Sequence, residues 1–270
     1  MARPITFLSD YGDRDEFAGV CRAVIARIAP EARLIDLTHG IDRHDVSGGA
    51  LVLATAVPYA PEGVHLAIVD PGVGTPRRAV ALRVADGERV LVGPDNGLLW
   101  PAAERLGGIV EAADISLSAF RLEPISATFH GRDVFAPVAA QIATGASLAE
   151  AGESLDSGEL TRLEVTIAQI EPDGSVAAHV ARVDRFGNLI LDLATRQLPE
   201  SGLRLGRALS VELGAGAREA LFARTFADVP DGGLLLYVDS SGRAALAVNR
   251  GSAAESLGLA AGDALTLLPA

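Results

Sequence analysis

The chain has 270 residues, 49% of them hydrophobic, with one cysteine and a formal net charge of −12. Length and apolar content suffice for one large core or, as the length favours, two smaller ones, and the lone Cys21 excludes an intramolecular disulfide and a cysteine-rich zinc site. All 23 basic residues are arginine, which excludes Schiff-base chemistry and a phosphate-loop lysine, while the acidic balance disfavours an extended nucleic-acid surface and directs attention to small molecules.

The first twelve residues reach Asp10 before any long apolar run, so neither a secretory segment nor a membrane span is expected, and a single cysteine fits a reducing, cytoplasmic setting. Continuous apolar runs at 5–8, 34–37, 64–69 and 90–92 predict strands, separated by helical spacing at 17–28 and 47–57. Continuous apolarity means cover on both faces, as in an open parallel sheet, and a helix over 134–142 supplies part of it, with Pro137 tolerated only in its first turn. From about Glu159 the texture changes to short alternating segments at 162–170, 175–184, 189–192, 209–213, 234–238 and 244–248, with Asp-Gly, Gly-Asn and Ser-Gly turns between several of them. The expected organisation is therefore an α/β domain with an open sheet over 1–160, then a smaller all-β, barrel-like domain over 161–270, with 153–161 as the linker.

Several predicted strands end in an acid and a turn: Ser9-Asp10-Tyr11-Gly12, Asp36-Leu37-Thr38-His39-Gly40, Asp70-Pro71-Gly72-Val73-Gly74 and Pro94-Asp95-Asn96-Gly97. Ligands of open α/β sheets bind beyond the carboxyl ends of the strands, so these acids are expected to converge on one crevice. Asp70 is the sharpest, because Pro71 and two glycines expose backbone N–H groups and admit a ligand closely; the plainer role is capping its own turn. Arg77 and Arg78 are either solvated charges or cations turned back to that crevice. His130, in Phe129-His130-Gly131-Arg132-Asp133, is either structural or catalytic, and Arg132 and Asp133 also fit a helix start. In the second half, Val183-Asp184-Arg185-Phe186-Gly187-Asn188 reads either as a purine-binding turn or as a Gly-Asn hairpin with Phe186 in the core. The stretches 239–242 and 249–252 read first as turns and second as ligand loops.

Taken together, Ser9-Asp10-Tyr11-Gly12 with Asp15, Asp70 to Thr75 with Arg77, Thr128 to Asp133, Phe186-Gly187-Asn188, and Ser240-Ser241-Gly242 followed by Asn249 resemble the S-adenosylmethionine hydroxide adenosyltransferase family, relatives of fluorinase and chlorinase. The resemblance runs from Phe7 to about Leu259. It implies an N-terminal α/β domain, a C-terminal β-barrel-like domain, and a homotrimer whose active sites lie between one subunit's first domain and its neighbour's second. The implied reaction is hydrolysis of S-adenosylmethionine (SAM) to adenosine and methionine by in-line attack of water on the ribose C5′. The catalytic trio maps onto Asp70, Arg77 and His130, with Arg77 rather than Arg78 chosen by its spacing from Asp70 in the family motif. Asp10 resembles the ribose-hydroxyl acceptor, Asp15 and Ser240 the contacts to the methionine amino-acid group, Asp184 an ammonium partner, and Phe186 and Asn188 the adenine contacts. Asn249 completes the substrate-binding set. No metal, cofactor, nucleic acid or membrane is implied.

Halogenating relatives carry an aromatic residue where Asp70 stands and lack the histidine seen at His130, so a carboxylate here would repel an incoming halide and halide transfer is disfavoured. Phe17 departs from the small polar residue of those relatives, which leaves the methionine contacts open. Two rivals stand beside hydrolysis. One is a sensor that binds SAM or adenosine without turnover; the other is metal-assisted hydrolysis with ligands among Asp10, Asp36, Asp70, Asp95, His39 and His130.

Overall fold

The computed structural model describes residues 2–164, 166–214 and 216–270, and the chain divides into two compact units, 1–163 and 164–270. In the first, strands β1 (Ile5–Ser9), β2 (Leu34–Thr38), β3 (Val64–Ile68), β4 (Ala79–Val84), β5 (Val90–Pro94), β6 (Ile109–Asp114) and β7 (Glu153–Ser154) form one sheet in the order β2-β1-β3-β5-β4-β6-β7. Every residue of β1 and β3 is buried, as continuous apolar runs require, because helices cover both faces. Helices α1 (Phe17–Ile28) and α4 (Ala136–Ala143) pack on the face carrying Phe7, Leu66 and Ile68. On the other face α2 (Val46–Ala56) and α3 (Trp100–Arg105) pack against Leu8, Ala67 and Leu91.

The sheet is mixed rather than wholly parallel. β2, β1, β3 and β5 run parallel, but β4 is antiparallel to both β5 and β6, and β7 is antiparallel to β6. The cause is local: a tight turn through Gly87 (φ 66°) joins β4 to β5, and a connection that short permits only an antiparallel pair. Helix α2 starts at Asp45, whose carboxylate accepts the Gly48 N–H at 2.8 Å. The helix expected over 134–142 begins as a π-helical turn, Gly131–Phe135, that runs into α4, and Pro137 sits in the first turn of α4. A short helix, α5 (Leu148–Ala151), follows with a Ser147/Glu150 capping box.

The stretch 153–161, read as a linker, is instead bound into this unit. β7 extends the sheet, Leu155 N–H donates to the Ala112 carbonyl at 2.9 Å, and Thr161 N–H donates to Asp95 Oδ1 at 2.8 Å. Polarity alone does not separate a tether from a packed sheet edge.

The second unit contains β8 (Gln169–Ile170), β9 (Val176–Val183), β10 (Leu189–Ala194), β11 (Ala208–Leu213), β12 (Gly216–Phe222), β13 (Leu234–Val238), β14 (Arg243–Val248), α6 (Ala253–Leu257) and β15 (Ala264–Pro269). The order β10-β14-β13-β12-β11-β15-β9, with β9 also paired to β10, closes a seven-stranded barrel that leaves β8 attached to β9. Val176, Leu191, Leu236, Leu246 and Leu267 fill it, with Ala253 of α6 in the same cluster. β12 and β15 were not foreseen, and of the strand expected over 162–170 only β8 forms; Val165 lies outside the described residues.

Candidate active site

β1 and β3 are parallel neighbours, with Ser9 paired to Ile68, so the loops that follow them emerge at one edge of the sheet carrying Asp10 and Asp70. The second loop then doubles back. Val73 N–H donates to the Asp70 carbonyl at 3.3 Å, and Thr75 donates its N–H and hydroxyl to the Gly72 carbonyl at 3.1 and 2.7 Å. Gly74 is held at φ 80°, and a Cβ there would stand 2.6 Å from the Ala127 carbonyl, so only glycine lets the loop pass. This path returns Arg77 to Asp70. Its Nε donates to Oδ1 at 2.8 Å while its Nη2 pairs with Oδ2, a bidentate fork in which the side chains are 6% (Asp70) and 11% (Arg77) exposed. The guanidinium carbon also lies 5.1 Å from the centroid of the Phe135 ring.

The same Nη2 reaches His130 Nδ1 at 3.3 Å. A guanidinium only donates, so Nδ1 accepts and the neutral ring carries its proton on Nε2. Partial burial, with the Arg77 charge as the next cause, holds the His130 pKa below its ordinary value, which favours that neutral form. Arg77 thereby bridges Asp70, in its own loop, to His130, which lies 53 residues further along the chain.

An open cleft of about 440 Å³ lies against this group, lined by Asp10, Tyr11, Asp15, Phe17, Arg43, His44, Asp70, Val73, Thr128, Phe129, His130 and Gly131. Asp10 Oδ2 accepts the N–H of His44 at 3.0 Å, and His44 adopts the left-handed conformation (φ 66°) that presents that N–H. Gly131 is fixed by packing, since a Cβ would collide with the Tyr11 hydroxyl. Burial first, then Cys21 and the carboxylates of Asp10 and Asp70, raise the Tyr11 pKa well above the phenol range, so Tyr11 enters the cleft as a neutral hydroxyl.

Not every strand-end acid converges. Asp36 binds Arg22 at 3.0 Å and accepts from His39 Nε2 at 3.1 Å. Asp95 binds Arg78 at 3.1 Å and caps Thr161, while Arg78 also bonds Glu159, so Arg78 belongs to a structural network away from the cleft. Sequence reasoning missed a relay here. Tyr11 N–H donates to Ser9 Oγ at 3.3 Å, Ser9 Oγ contacts His39 Nδ1 at 2.7 Å, and the His39 carbonyl accepts Gly12 N–H at 2.7 Å. Ser9 is completely buried, so this Ser–His–Asp chain braces the Asp10 loop and presents no nucleophile. Arg43 and His44 were also missed; they lie in an irregular loop with no periodicity to mark them. Among the described residues no group of three or more His, Cys, Asp or Glu side chains is placed to hold a metal ion.

In the barrel, residues 184–188 form the β9–β10 turn. Asp184 Oδ1 accepts the N–H groups of Phe186 and Asn188 at 2.8 and 2.9 Å, and Oδ2 accepts from Asn188 Nδ2 at 2.8 Å. Phe186 is 72% exposed, not in the core, because the turn projects it outward. Asp239 Oδ1 similarly accepts from Ser241 N–H and hydroxyl and from Arg243 N–H, leaving Ser240 exposed at the tip. Asn249 Nδ2 donates to the Val229 carbonyl at 2.9 Å. Burial, with the charges of Asp184 and Asp239 as the next causes, pushes the Tyr237 pKa up to about 12.

A mixed α/β sheet domain with a strand-end cleft, followed by a closed barrel, defines a two-domain class of small-molecule protein. The SAM hydroxide adenosyltransferase N-terminal domain family matches residues 5–152 and the corresponding C-terminal domain family matches residues 178–266; the chain belongs to this family. It is 52% identical to the (R)-S-adenosyl-L-methionine hydrolase of Salinispora arenicola over 97% of this chain and 96% of that one. A fluorinase of Nocardia brasiliensis is 29% identical over 96% and 95% of the two chains. The solved structure of an uncharacterized conserved protein from Thermotoga maritima superposes with a TM-score of 0.90 at 35% identity, covering 98% of this chain and 99% of that one.

Proposed function

We propose that this protein hydrolyses SAM, in the (R) form named for its relatives, to adenosine and L-methionine. The observation that carries the reading is Arg77, forked on Asp70 and donating to His130 Nδ1, at the wall of a cleft that also holds Asp10 and Asp15. Water attacks the ribose C5′ in line with the C5′–S bond; a C5′–O bond forms, the electron pair of the breaking bond goes to sulfur, and one proton is released. The leaving group is a neutral thioether and requires no acid, so catalysis concerns the water alone. Asp70, held in place by Arg77, is the proton acceptor, because His130 Nδ1 already accepts from Arg77 and its Nε2 carries the proton; His130 positions the guanidinium, whose charge stabilises hydroxide character on the attacking oxygen. Metal and cofactor have no step in this scheme.

For the substrate, the reading assigns Asp10 to the ribose hydroxyls, and Asp15, Ser240 and Asp184 to the amino-acid end. Phe186 and Asn188 bind the adenine, and Asn249 completes the substrate-binding set. It also includes a homotrimer, for which the family resemblance is the support and light scattering the check, and a cytoplasmic location, for which the buried, unpaired Cys21 is the support. Among the described residues no helix is long and apolar enough to cross a membrane.

The test is incubation of each sulfonium epimer in oxygen-18 water with chelator present and halide absent. Adenosine labelled at its 5′-oxygen with equimolar methionine, formed from the (R) epimer ahead of the (S), is the expected result. Substrate decay no faster than the spontaneous rate would overturn the reading, and activity restored by one divalent ion would overturn its metal-free chemistry.

A further inference from the structure

Three aromatic rings meet in the cleft with no assigned role. Phe17 and Phe129 stand 5.1 Å apart between centroids at 85°, Tyr11 and Phe129 6.0 Å at 80°, and Tyr11 and Phe17 5.8 Å at 43°. The two steep angles, both at Phe129, make a corner in which the face of one ring looks along the edge of the next, with Tyr11 and Phe17 tilted by only 43° to each other. Tyr11 and Phe129 pack on the sheet core, whereas Phe17, the first residue of α1, remains 39% exposed although the helix buries Ala18, Cys21, Val24 and Ile25. The Arg132 guanidinium lies over the Phe129 ring, 5.2 Å from its centroid, and is itself paired with Asp133.

Resting on the hydrolase reading, we propose that the Tyr11–Phe17–Phe129 corner is the subsite for the sulfonium cation and sets the preference for charged SAM over neutral thioethers. Three carboxylates, Asp10, Asp15 and Asp70, line the same cleft against the one guanidinium of Arg43, so the excess charge favours a cation even with Asp70 paired to Arg77. Carboxylates alone do not complete the recognition. A sulfonium has no N–H or O–H to donate, so no hydrogen bond distinguishes it, and a weakly hydrated, methylated cation is the kind that ring faces hold best. As the C5′–S bond breaks, sulfur becomes neutral and the ring contact weakens, so the corner contributes to substrate binding and releases the product thioether.

The experiment compares wild type with Phe17→Leu, which retains an apolar side chain but removes the ring, and with Phe17→Tyr, which restores it. SAM affinity is read from the concentration dependence of single-turnover rates, or by calorimetry if no turnover occurs, and S-adenosylhomocysteine affinity by calorimetry. Phe17→Leu is expected to weaken SAM by about two- to five-fold relative to S-adenosylhomocysteine, and Phe17→Tyr to recover the ratio. Equal weakening of both ligands, or no change in the ratio, overturns the proposal. Absence of adenosine formation by wild type would instead overturn the hydrolase reading, and the affinity ratio would still decide whether the corner selects a cation.

Discussion

At the sheet edge of the first unit, polar side chains are matched to partners far away in the chain, Arg77 to His130 and Asp10 to the backbone of His44, and Asp70 joins that set through Arg77 at the far end of its own loop. At the barrel turns they are matched within their own loop, Asp184 to residues 186 and 188 and Asp239 to residues 241 and 243. Long-range matching places charges where folding of the whole unit holds them, and suits groups that must be kept in a reactive arrangement. Local matching produces a rigid turn whose tip residues, Phe186 and Ser240, are left outward for contact with something else.

The largest effect that would break this contrast is expected at Arg77. Arg77→Ala separates Asp70 from His130, and adenosine formation should fall about 10²- to 10³-fold with an unchanged far-ultraviolet dichroism spectrum. Activity retained in that variant would show the trio to be structural. The pH profile should follow, since a neutral His130 is required: activity is expected to be full above the histidine range and to fall as pH drops through a pKa below 6.5. A residual activity of His130→Gln that shows the same acid limb would assign the limb elsewhere.

A buried and a half-exposed histidine sharpen the comparison on stability. His65 in the first unit is completely buried, bonded only through Nδ1 to Thr6 Oγ1, and burial with Arg89 nearby lowers its pKa to about 4. The unfolded chain therefore binds the extra proton between about 6.5 and 4, and stability should be complete above that window and fall through it by up to about 3 kcal/mol. His179 in the barrel instead bonds Asp192 at 3.2 Å. Thermal melts from pH 7 to pH 4 should show a shallower decline in His65→Gln than in wild type.

Gly187, at φ 77° with Ser252 in the space a Cβ would take, tests the rigidity of the barrel turn; Gly187→Ala should cost about 1–3 kcal/mol in denaturant unfolding. Gly12, also at positive φ but with open space around it, should lose only about 1 kcal/mol in the same substitution. The smallest effect on folding belongs to Phe186→Ala, within about 0.5 kcal/mol, and KM for SAM should nonetheless rise if the ring meets adenine. An unchanged KM would remove Phe186 from the substrate contacts.

The barrel strands of alternating residues, the buried parallel strands and the helices starting at Phe17 and ending near Ala56 were legible in the sequence because each depends on a period repeated over neighbouring residues. The dense loops around Asp10, Asp70 and His130 were legible as candidates because glycine, proline and acid in close succession have few uses outside turns and sites. β4, β6, β12 and β15 escaped that reading: β4 has a continuous apolar run at 79–82 that went unread, whereas β6 and β12 mix charged and small residues that mark no strand until their partners are in place. Strand-end spacing left the four acids equal and the family motifs picked Asp10 and Asp70; the tertiary structure supplies the reason, since these two reach the cleft because β1 and β3 are adjacent, whereas Asp36 and Asp95 are drawn off by Arg22 and Arg78. It also shows where the neighbouring arginines go, of which the family motif had singled out Arg77: Arg77 turns back to Asp70 and Arg78 to Asp95, while Tyr11, Phe17 and Phe129 gather into one corner. Local spacing encodes local geometry, but which charge meets which across 53 residues is settled by strand order and packing, and those exist only in the folded chain.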